Sequence, residues 1–277
     1  MLGKTVTLGF WLSDRSLEAA LVRTGRKSSK VLAETAVPGE NLLSSEDRST
    51  RLTQALRASL RTLPRTVRRA DMPAVLAVQD GHVIEDVFTF AEFPNAKAEA
   101  RALVAHRLSR EINVLPDDLD VYWENVTSAD GAETVRVRAI KRALRSDIEA
   151  AAAAAGLRLI RIDGWAGFAS CAPQLTKQDS GSAIWSDGTE WSLLCWGGKD
   201  AAGFSQTGQI ESPESTAQDI VRLSLAYARR NDVSPGPLAA DVPTTLVSAL
   251  SEATKRAGLE VLALRKGPRA VQVATWA

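Results

Sequence analysis

The sequence of 277 residues is poor in the residue types on which disulfide scaffolds, metal sites and hydrolase triads depend. Its two cysteines, Cys171 and Cys195, lie in apolar surroundings without CxxC spacing. This pattern excludes a disulfide scaffold and favours two buried thiols in a reducing compartment. Its two histidines, His82 and His106, leave few candidates for a Zn site or a Ser-His-Asp triad. We expect both imidazoles to be solvated, and we expect no bound metal.

The sequence also lacks an excess of one charge and a long apolar run. Lysine and arginine total 34, and aspartate and glutamate total 33, so the net charge gives no reason to expect a nucleic-acid partner. No stretch reaches the roughly 18 uninterrupted apolar residues of a membrane helix, and the opening MLGKTVTLGFW lacks the apolar run of a signal peptide. These absences predict a protein of the cytoplasm.

The first part of the sequence has a pattern of strands, then a helix, then a buried strand. Alternating apolar and polar residues predict strands at 5–12, 17–23 and 29–39. Leucines on one helical face predict a helix at 50–63. The nearly continuous apolar run AVLAVQD, at 74–80, is typical of a buried parallel strand. The predicted order is therefore βββαβ.

A similar order recurs in the last third of the chain. Residues 182–196 and 201–210 predict strands with hairpin turns, and a helix is predicted to begin at Pro213 with Ser212 as its N-cap. Residues Thr244–Ala257 predict a further helix that ends at a glycine, and LEVLALRKG is the strand after it.

Between these halves lies a segment that predicts a small αβ unit. Residues Val83–Phe90 alternate as a strand, and an apolar stripe from Pro94 to Ile112 predicts a helix. Pro116 ends that helix, and LDVYWENV returns as a strand. The residues that follow predict another strand, an alanine-rich helix, a strand at Leu157–Ile162 and a helix around Gly167–Ala172.

Two halves that each begin with antiparallel strands and continue into α/β units indicate an α/β, two-lobed actin-like fold. Such a fold is a duplicated ribonuclease-H-like fold, and here it carries a small inserted αβ subdomain. We predict a first lobe at 1–176, with the inserted subdomain at about 82–139, and a second lobe at 177–277. The repeat is topological, because the halves show no detectable sequence identity.

Four short segments in the middle of the chain resemble a known family. Glu111–Pro116 end a helix, Asp120–Trp123 form an Asp-Tyr-like strand, Ala155–Leu157 read Ala-Gly-Leu, and Asp163 ends the next strand. In this order they resemble PilM-type proteins and the cytoplasmic part of GspL-type proteins, which are actin-like members of type IV pilus and type II secretion platforms. The resemblance lies in residues 83–172 and is topological elsewhere. It implies a location in the cytoplasm, at the inner face of the inner membrane.

An actin-type nucleotide site needs two hairpin turns of the form Asp-x-Gly-(Ser/Thr). Their backbone N–H groups approach the phosphates without a Cβ in the way, and carboxylates hold Mg²⁺ through water. In the first turn, which contains Ser13 and Asp14, the aspartate and glycine of the resembled family are replaced within GFWLSDRS, and the nearest carboxylate is Asp14 at the tip. The sequence therefore predicts that this turn is vestigial.

The second turn and the adenosine-binding segment also depart from the resembled family. Asp187, Gly188 and Thr189 keep the residue types of a phosphate turn but are shifted along the strand, and Trp185 stands near the position of the family's aspartate. Residues Pro237–Leu250 contain no glycine where the family has a Gly-Gly segment. The three departures predict a fold retained as a scaffold, without ATP hydrolysis and without a cofactor.

The resemblance implies a function in binding other proteins. It implies a non-catalytic scaffold that binds the cytoplasmic tail of a membrane-spanning platform protein and, as a second partner, the assembly ATPase. In that family the inserted subdomain and the first lobe form a groove for the tail. Carried over to this chain, the groove would involve Phe88, Phe90 and Phe93, next to a strand edge that captures an extended peptide. The alternative is that these rings pack under the helix of the insert.

Other interpretations of the sequence stay open at this point. One is an active actin-like ATPase or sugar-kinase relative whose SDGTEW segment still contacts phosphate. Another is a stand-alone interaction module with the same fold. Trp185, Trp191 and Trp196 crowd the second hairpin; on an unbroken strand the first two would share a face and the third would face away. They form either part of a core or an exposed patch for a partner.

Overall fold

The computed structural model describes residues 5–25, 29–64, 73–126, 133–169, 179–186, 188–197, 200–263 and 269–276. Within these ranges the strands are β1 (Thr5–Leu12), β2 (Ser16–Thr24), β3 (Ser29–Pro38), β4 (Pro73–Val78), β5 (Val83–Phe90), β6 (Leu119–Val126), β7 (Glu133–Lys141), β8 (Arg158–Gly164), β9 (Gly181–Ser186), β10 (Glu190–Gly197), β11 (Asp200–Gln209), β12 (Leu238–Asp241) and β13 (Val261–Ala263). The helices are α1 (Arg48–Thr62), α2 (Lys97–Ile112), α3 (Arg142–Ala154), α4 (Trp165–Ala169), α5 (Pro213–Arg230), α6 (Thr244–Ala257) and α7 (Arg269–Trp276). None of these described helices is both long and apolar enough to cross a membrane.

Two five-stranded sheets have the same topology. The first sheet has the strand order β3-β2-β1-β4-β8, and the second has the order β11-β10-β9-β12-β13. In each sheet the first three strands along the chain are antiparallel neighbours, and the other two continue the sheet in parallel from the first. The repeat confirms the predicted two-lobed, duplicated ribonuclease-H-like fold.

Strand β4 shows how the layers are arranged. Its alternate residues Leu76 and Val78 belong to a core with α1 and α3, and the intervening Val75 and Ala77 belong to a core with α4, α7 and the second sheet. A strand that is buried on both faces requires a continuous apolar sequence. This burial explains why PAVLAV, the sequence of β4, contains no polar residue. Helices α5 and α6 pack on the outer face of the second sheet.

The inserted αβ subdomain is present as the sequence predicts. Strands β5, β7 and β6 form a separate antiparallel sheet in that order. Helix α2 packs Val104 and Leu108 against Val135 and Val137 of the central strand. Because β7 is central, β5 and β6 are the two edges of this sheet.

Helix ends follow their local signals in most places. Ser212 caps α5, with its Oγ accepting the backbone N–H of Ser215 at 3.1 Å, and Gly258 ends α6 with φ of +69°. Helix α2 begins at Lys97 rather than at the predicted Pro94. These ends depend on neighbours in sequence, so the sequence pattern is sufficient to locate them to within a few residues.

Two elements are missing from the sequence prediction. The short strand β12 lies between β9 and β13 in the second sheet, and the short helix α7 packs on β1 and β2 of the first sheet. Gly9 permits this contact, because a Cβ there would lie 2.4 Å from the carbonyl oxygen of Ala270. Helix α7 thus lies on the first sheet, although the predicted division of the chain assigns its residues to the second lobe; the domain boundaries themselves stay a prediction.

Candidate functional site

The two predicted phosphate turns both lie close to Gln79 of the first lobe. These are the β1–β2 turn, which contains Ser13 and Asp14, and the β9–β10 turn, which contains Gly188 and Thr189. Gln79 contacts both regions, because its Oε1 accepts the Asp14 N–H at 3.4 Å and its Nε2 donates to Glu190 Oε2 at 2.9 Å. Asp187, which was also predicted in the second turn, lies outside the described residues.

The amides of the first turn are all bound within the protein. The N–H of Ser13 donates to the Ser16 carbonyl at 3.0 Å, and the N–H groups of Arg15 and Ser16 donate to Ser13 Oγ at 3.3 and 3.1 Å. Asp14 N–H donates to Gln79. A phosphate would have to displace these bonds, each of which contributes about 0.5–1.5 kcal/mol.

The Asp14 carboxylate holds the loop before α1. Its Oδ1 accepts hydrogen bonds from the N–H of Leu43 at 2.8 Å, the N–H of Ser44 at 3.0 Å and the hydroxyl of Ser44 at 3.2 Å. Leu43 is buried in the core of the first lobe. Asp14 is the carboxylate nearest to the first turn, where the resembled family has an aspartate. Its hydrogen bonds give it a structural role.

The second turn is closed in a similar way by a serine. Ser186 Oγ accepts the N–H of Gly188 at 3.0 Å and donates to the carbonyl of Glu190 at 2.5 Å. Gly188 has φ of +97°, a conformation that favours glycine. Gly188 therefore allows the backbone conformation of the turn, and its N–H is bound to Ser186 Oγ. The carbonyl of Thr189 accepts the N–H of Ile210 at 2.9 Å.

Direct hydrogen bonds join the two lobes across the cleft between the turns. The indole Nε1–H of Trp185, in the second lobe, donates to Oδ2 of Asp80, in the first lobe. Both residues are buried. Glu190 of the second lobe accepts from Gln79 of the first, and its other oxygen accepts from Gln209 Nε2 at 2.9 Å. The Trp185 indole is therefore hydrogen-bonded to the Asp80 carboxylate on the opposite lobe.

The space that remains in this cleft is small. It is a cavity of about 70 Å³, and Asp80, Asp163 and Trp185 are among the residues that line it. Pockets for small-molecule ligands occupy about 300–1,000 Å³. The segment Pro237–Leu250 forms β12 and the start of α6 rather than a glycine-rich turn. Among the residues that the structure describes, which omit Asp187, this arrangement does not fit a magnesium nucleotide.

The two lobes also share one hydrophobic core. Trp11 and Trp165 of the first lobe contact edge to face with ring centroids 5.8 Å apart, and both belong to the same buried cluster as Trp185. The guanidinium of Arg269 lies over both rings, at 4.7 Å from Trp11 and 5.8 Å from Trp165, and also donates to the carbonyl of Ser186. The lobes are thus packed together as one body through side chains.

The condition for Trp185 and Trp191 to share a face is not met, because the strand is broken between β9 and β10. Trp185 pairs with Ser192, and Trp191 pairs with Ser186, so Trp185 and Trp191 lie on opposite faces of the sheet. Trp196 packs with Trp185 in the core between the lobes, whereas Trp191 belongs to the core under α5 and α6. The turn that contains Gly188 and Thr189 sets this register. Of the two alternatives, the structure shows core packing for Trp185 and Trp191.

The described cysteine and the two histidines lie in different surroundings. Burial raises the pKa of the Cys195 thiol to about 11, and Cys171 lies outside the described residues. His106 is exposed, as predicted. His82 is instead half-buried, with Nε2 at 3.9 Å from Asp14 Oδ2, and burial lowers the pKa of this imidazole despite the nearby Asp14 and Glu190.

The phenylalanines predicted to bind a partner pack against the helix of the insert. Phe88 is 6% exposed, and it contacts Phe90, which contacts Phe93, which in turn contacts Trp123. Phe88 and Phe90 share a face of β5, as predicted from the strand period. Phe93 lines an open groove of about 920 Å³ on the insert. Their role in binding stays a prediction, and Phe88 has little surface for it.

A second groove separates the insert from the first lobe. It has a volume of about 290 Å³ and runs between β6, an edge strand of the insert sheet, and β8, an edge strand of the first sheet. Tyr122 and Ile160, which line it from either side, are 46% and 57% exposed. Tyr122 and Trp123 also line the larger groove, so the two grooves adjoin along β6.

Arginines dominate the walls of this β6–β8 groove. Its charged lining residues are Arg136, Arg138, Arg145, Arg161, Glu124 and Asp163. Arg161 pairs with Asp163 at 2.8 Å, and Arg136 pairs with Glu124 at 2.7 Å. Arg138 pairs with Glu85 at 3.4 Å, and Arg145 pairs with Asp120 and Glu149, three carboxylates that lie outside the lining. All four arginines of the groove are therefore paired with carboxylates of the chain. This cluster could not be predicted from the sequence, because the arginines come from β7, α3 and β8 and converge only in the fold.

Comparison with known proteins identifies the fold. No protein-family model matches the chain, and no curated protein matches it in sequence. Among solved structures, the chain is similar to the PilM-PilN type IV pilus biogenesis complex, with a TM-score of 0.69, 16% identity and coverage of 99% of this chain and 91% of the other. It is also similar to the cytoplasmic domain of EpsL, an inner-membrane component of the type II secretion system of Vibrio cholerae, with a TM-score of 0.60, 15% identity and coverage of 97% and 93%.

A third similar structure is a Bacteroides thetaiotaomicron protein with an actin-like ATPase fold and unknown function. Its TM-score is 0.57, with 9% identity and coverage of 94% of this chain and 91% of the other. Together these likenesses confirm the predicted actin-like fold, and they include structures from both systems that the sequence resemblance named. At these identities they show the fold alone.

Proposed function

We propose that this protein is a non-catalytic scaffold of a bacterial type IV pilus or type II secretion assembly platform. It would act in the cytoplasm at the inner face of the inner membrane and bind the cytoplasmic tail of a membrane-spanning platform protein, with the assembly ATPase as a second partner. The likeness in fold to the PilM-PilN complex and to the EpsL domain supports this proposal.

The observation that carries the non-catalytic part of the proposal is the hydrogen bond from Trp185 to Asp80 across the cleft. Both side chains are buried, and the cavity beside them is about 70 Å³. Trp185 and Asp80 therefore occupy the space between the lobes in which a nucleotide would bind. An active ATPase or sugar kinase would need that space open, so no observation in the described residues favours this alternative.

The β6–β8 groove is the surface that best fits an extended tail. Two strand edges face each other across it, and an edge strand offers unpaired N–H and C=O groups to an incoming strand. The exposed side chains of Tyr122 and Ile160 provide apolar contacts. The strand edges and the apolar contacts would hold the tail, because each of the four lining arginines already pairs with a carboxylate of the chain.

A single substitution at the edge of β8 tests this groove. We expect Ile160→Arg to weaken binding of the synthetic cytoplasmic tail of the membrane-spanning platform protein by about tenfold or more, because it replaces an exposed apolar contact with a large charged side chain at a strand edge. Binding is measured by calorimetry. Ile160 is 57% exposed, so the change should leave the fold intact.

Val31→Arg is the matched control. Val31 is 41% exposed on β3, at the opposite edge of the same sheet, and this substitution should leave tail binding unchanged. Equal affinities for the wild type and Ile160→Arg, or no binding of the tail to the wild type, would contradict the proposal. Phe88→Ala is a poorer test, because removal of a buried phenylalanine costs about 3–5 kcal/mol of stability by itself.

A further inference from the structure

A third groove lies on the outer surface of the second lobe, away from the cleft and the insert. It runs between α5 and α6 and has a volume of about 600 Å³. Both helices pack their inner faces on the second sheet, through Ile220 and Tyr227 of α5 and Leu246 and Leu250 of α6. The groove is formed by their outer faces and takes no part in the contacts described so far.

The floor of this α5–α6 groove is apolar and made mainly of small side chains. Its apolar lining residues are Val221, Leu225, Ala226, Ala249, Ala253 and Ala257. Alanine lets another helix approach closely, and helix axes in such packing lie about 8–10 Å apart. From Glu214 to Arg229, both in the lining, α5 rises about 22 Å at 1.5 Å per residue. The groove therefore has the length of a helix of about four turns.

The charges around the groove are unevenly distributed along it. Strands β12 and β13 are parallel, and each follows one of the two helices, so α5 and α6 run in the same direction. Arg229 and Arg256, in the last turns of the two helices, therefore lie toward one end of the groove, and Glu214 lies toward the other.

The arginines differ in how far their charge is already paired. Arg222 pairs with Asp219 at 2.9 Å, and Arg256 pairs with Glu252. Both of these are exposed pairs within one helix, and such pairs contribute little. Arg229 has no ion-pair partner within the described part of the chain. The cationic end therefore attracts carboxylates from outside the chain.

We propose that the α5–α6 groove is a docking surface for an amphipathic, acidic α-helix of a partner protein. Its larger apolar side chains, spaced i, i+4, i+7 and i+11, lie over the alanine floor. Its carboxylates face Arg222, Arg229 and Arg256. The surface is separate from the β6–β8 groove, so this interaction is independent of tail binding, and a scaffold with both surfaces holds two partners at once.

The experiment uses a fluorescently labelled synthetic helix of about 15 residues, with leucines at the four apolar positions and glutamates beside them. A second peptide carries lysine in place of each glutamate. Anisotropy titrations with the full chain should show saturable binding of the acidic peptide and at least about tenfold weaker binding of the lysine peptide. Equal affinity for the two peptides, or no binding of the acidic one, would overturn the proposal.

Two pairs of variants locate the binding to the groove. Arg229→Glu should weaken binding of the acidic peptide by about tenfold or more, whereas Arg230→Glu, on the next residue and outside the lining, should have little effect. Ala226→Trp should fill the groove and block the peptide, whereas Ser251→Trp, on an exposed face of α6 outside the lining, should not. If both members of either pair behave alike, the peptide binds elsewhere and the inference is wrong. Unchanged tail binding in all four variants would show that the two surfaces are independent.

Discussion

Replacing Trp185 with alanine is expected to lower the free energy of unfolding by about 3–5 kcal/mol, as for other buried tryptophans. The side chain is 2% exposed and belongs to the core that both sheets share. The substitution leaves a cavity and also removes a hydrogen-bond donor from Asp80. The change is measured by urea denaturation, with unfolding monitored by circular dichroism.

Two companion variants separate packing from the contact across the cleft. Trp185→Phe keeps most of the packing but loses the indole N–H, so it should cost about 1–3 kcal/mol. Trp191→Ala removes a ring from the same hairpin on its other face, in the core under α5 and α6. It should also destabilise the protein, but hydrogen exchange at Gln79–His82 should rise only in the Trp185 variants. Unchanged stability in Trp185→Ala would show that the side chain does not join the lobes.

Replacing Asp14 with alanine is expected to cost about 2–3 kcal/mol, because hydrogen bonds to a charged group are stronger than neutral ones. The carboxylate accepts three hydrogen bonds from Leu43 and Ser44, and these fix the loop that carries the buried Leu42 and Leu43 into the core. Asp14→Asn keeps a side-chain oxygen as acceptor and should cost less than half as much. Thermal and urea unfolding measure both variants.

The Asp14 variants also distinguish a structural carboxylate from a metal-binding one. If Asp14 took part in a nucleotide site, its loss would change binding of Mg²⁺ and ATP and leave stability nearly unaffected. The hydrogen bonds predict the reverse. A fully stable Asp14→Ala protein would contradict the role assigned here to the first turn.

Features set by neighbouring residues could be predicted from the sequence. The cap at Ser212, the helix end at Gly258 and the doubly buried strand β4 each follow from local chemistry and periodicity. The two-lobed topology could be predicted because both halves repeat the order of such local elements. Strand β12 could not, because Leu238–Asp241 is only four residues long and is held as a strand by its neighbours in the sheet.

Features set by contacts between distant residues could not be predicted. Trp185 and Asp80 are separated by 105 positions, and no local pattern connects them. The same holds for the arginines of the β6–β8 groove. The faces of Trp185 and Trp191 depend on the number of residues in the turn between them, because a shift of one residue moves each side chain to the other face. The sequence did indicate that the phosphate turns were altered, but only the fold shows that the amides of the first turn and the Gly188 amide of the second are bound within the protein.

The measurement that tests the central claim most directly is a calorimetric titration of the full chain with ATP and Mg²⁺. The claim is that Trp185, Asp80, Gln79 and Glu190 close the cleft between the lobes and leave no space for a nucleotide. A closed cleft predicts no saturable heat of ATP binding up to millimolar ATP, with Mg²⁺ present throughout. A single-site isotherm at micromolar ATP that is lost on competition with ADP would contradict it.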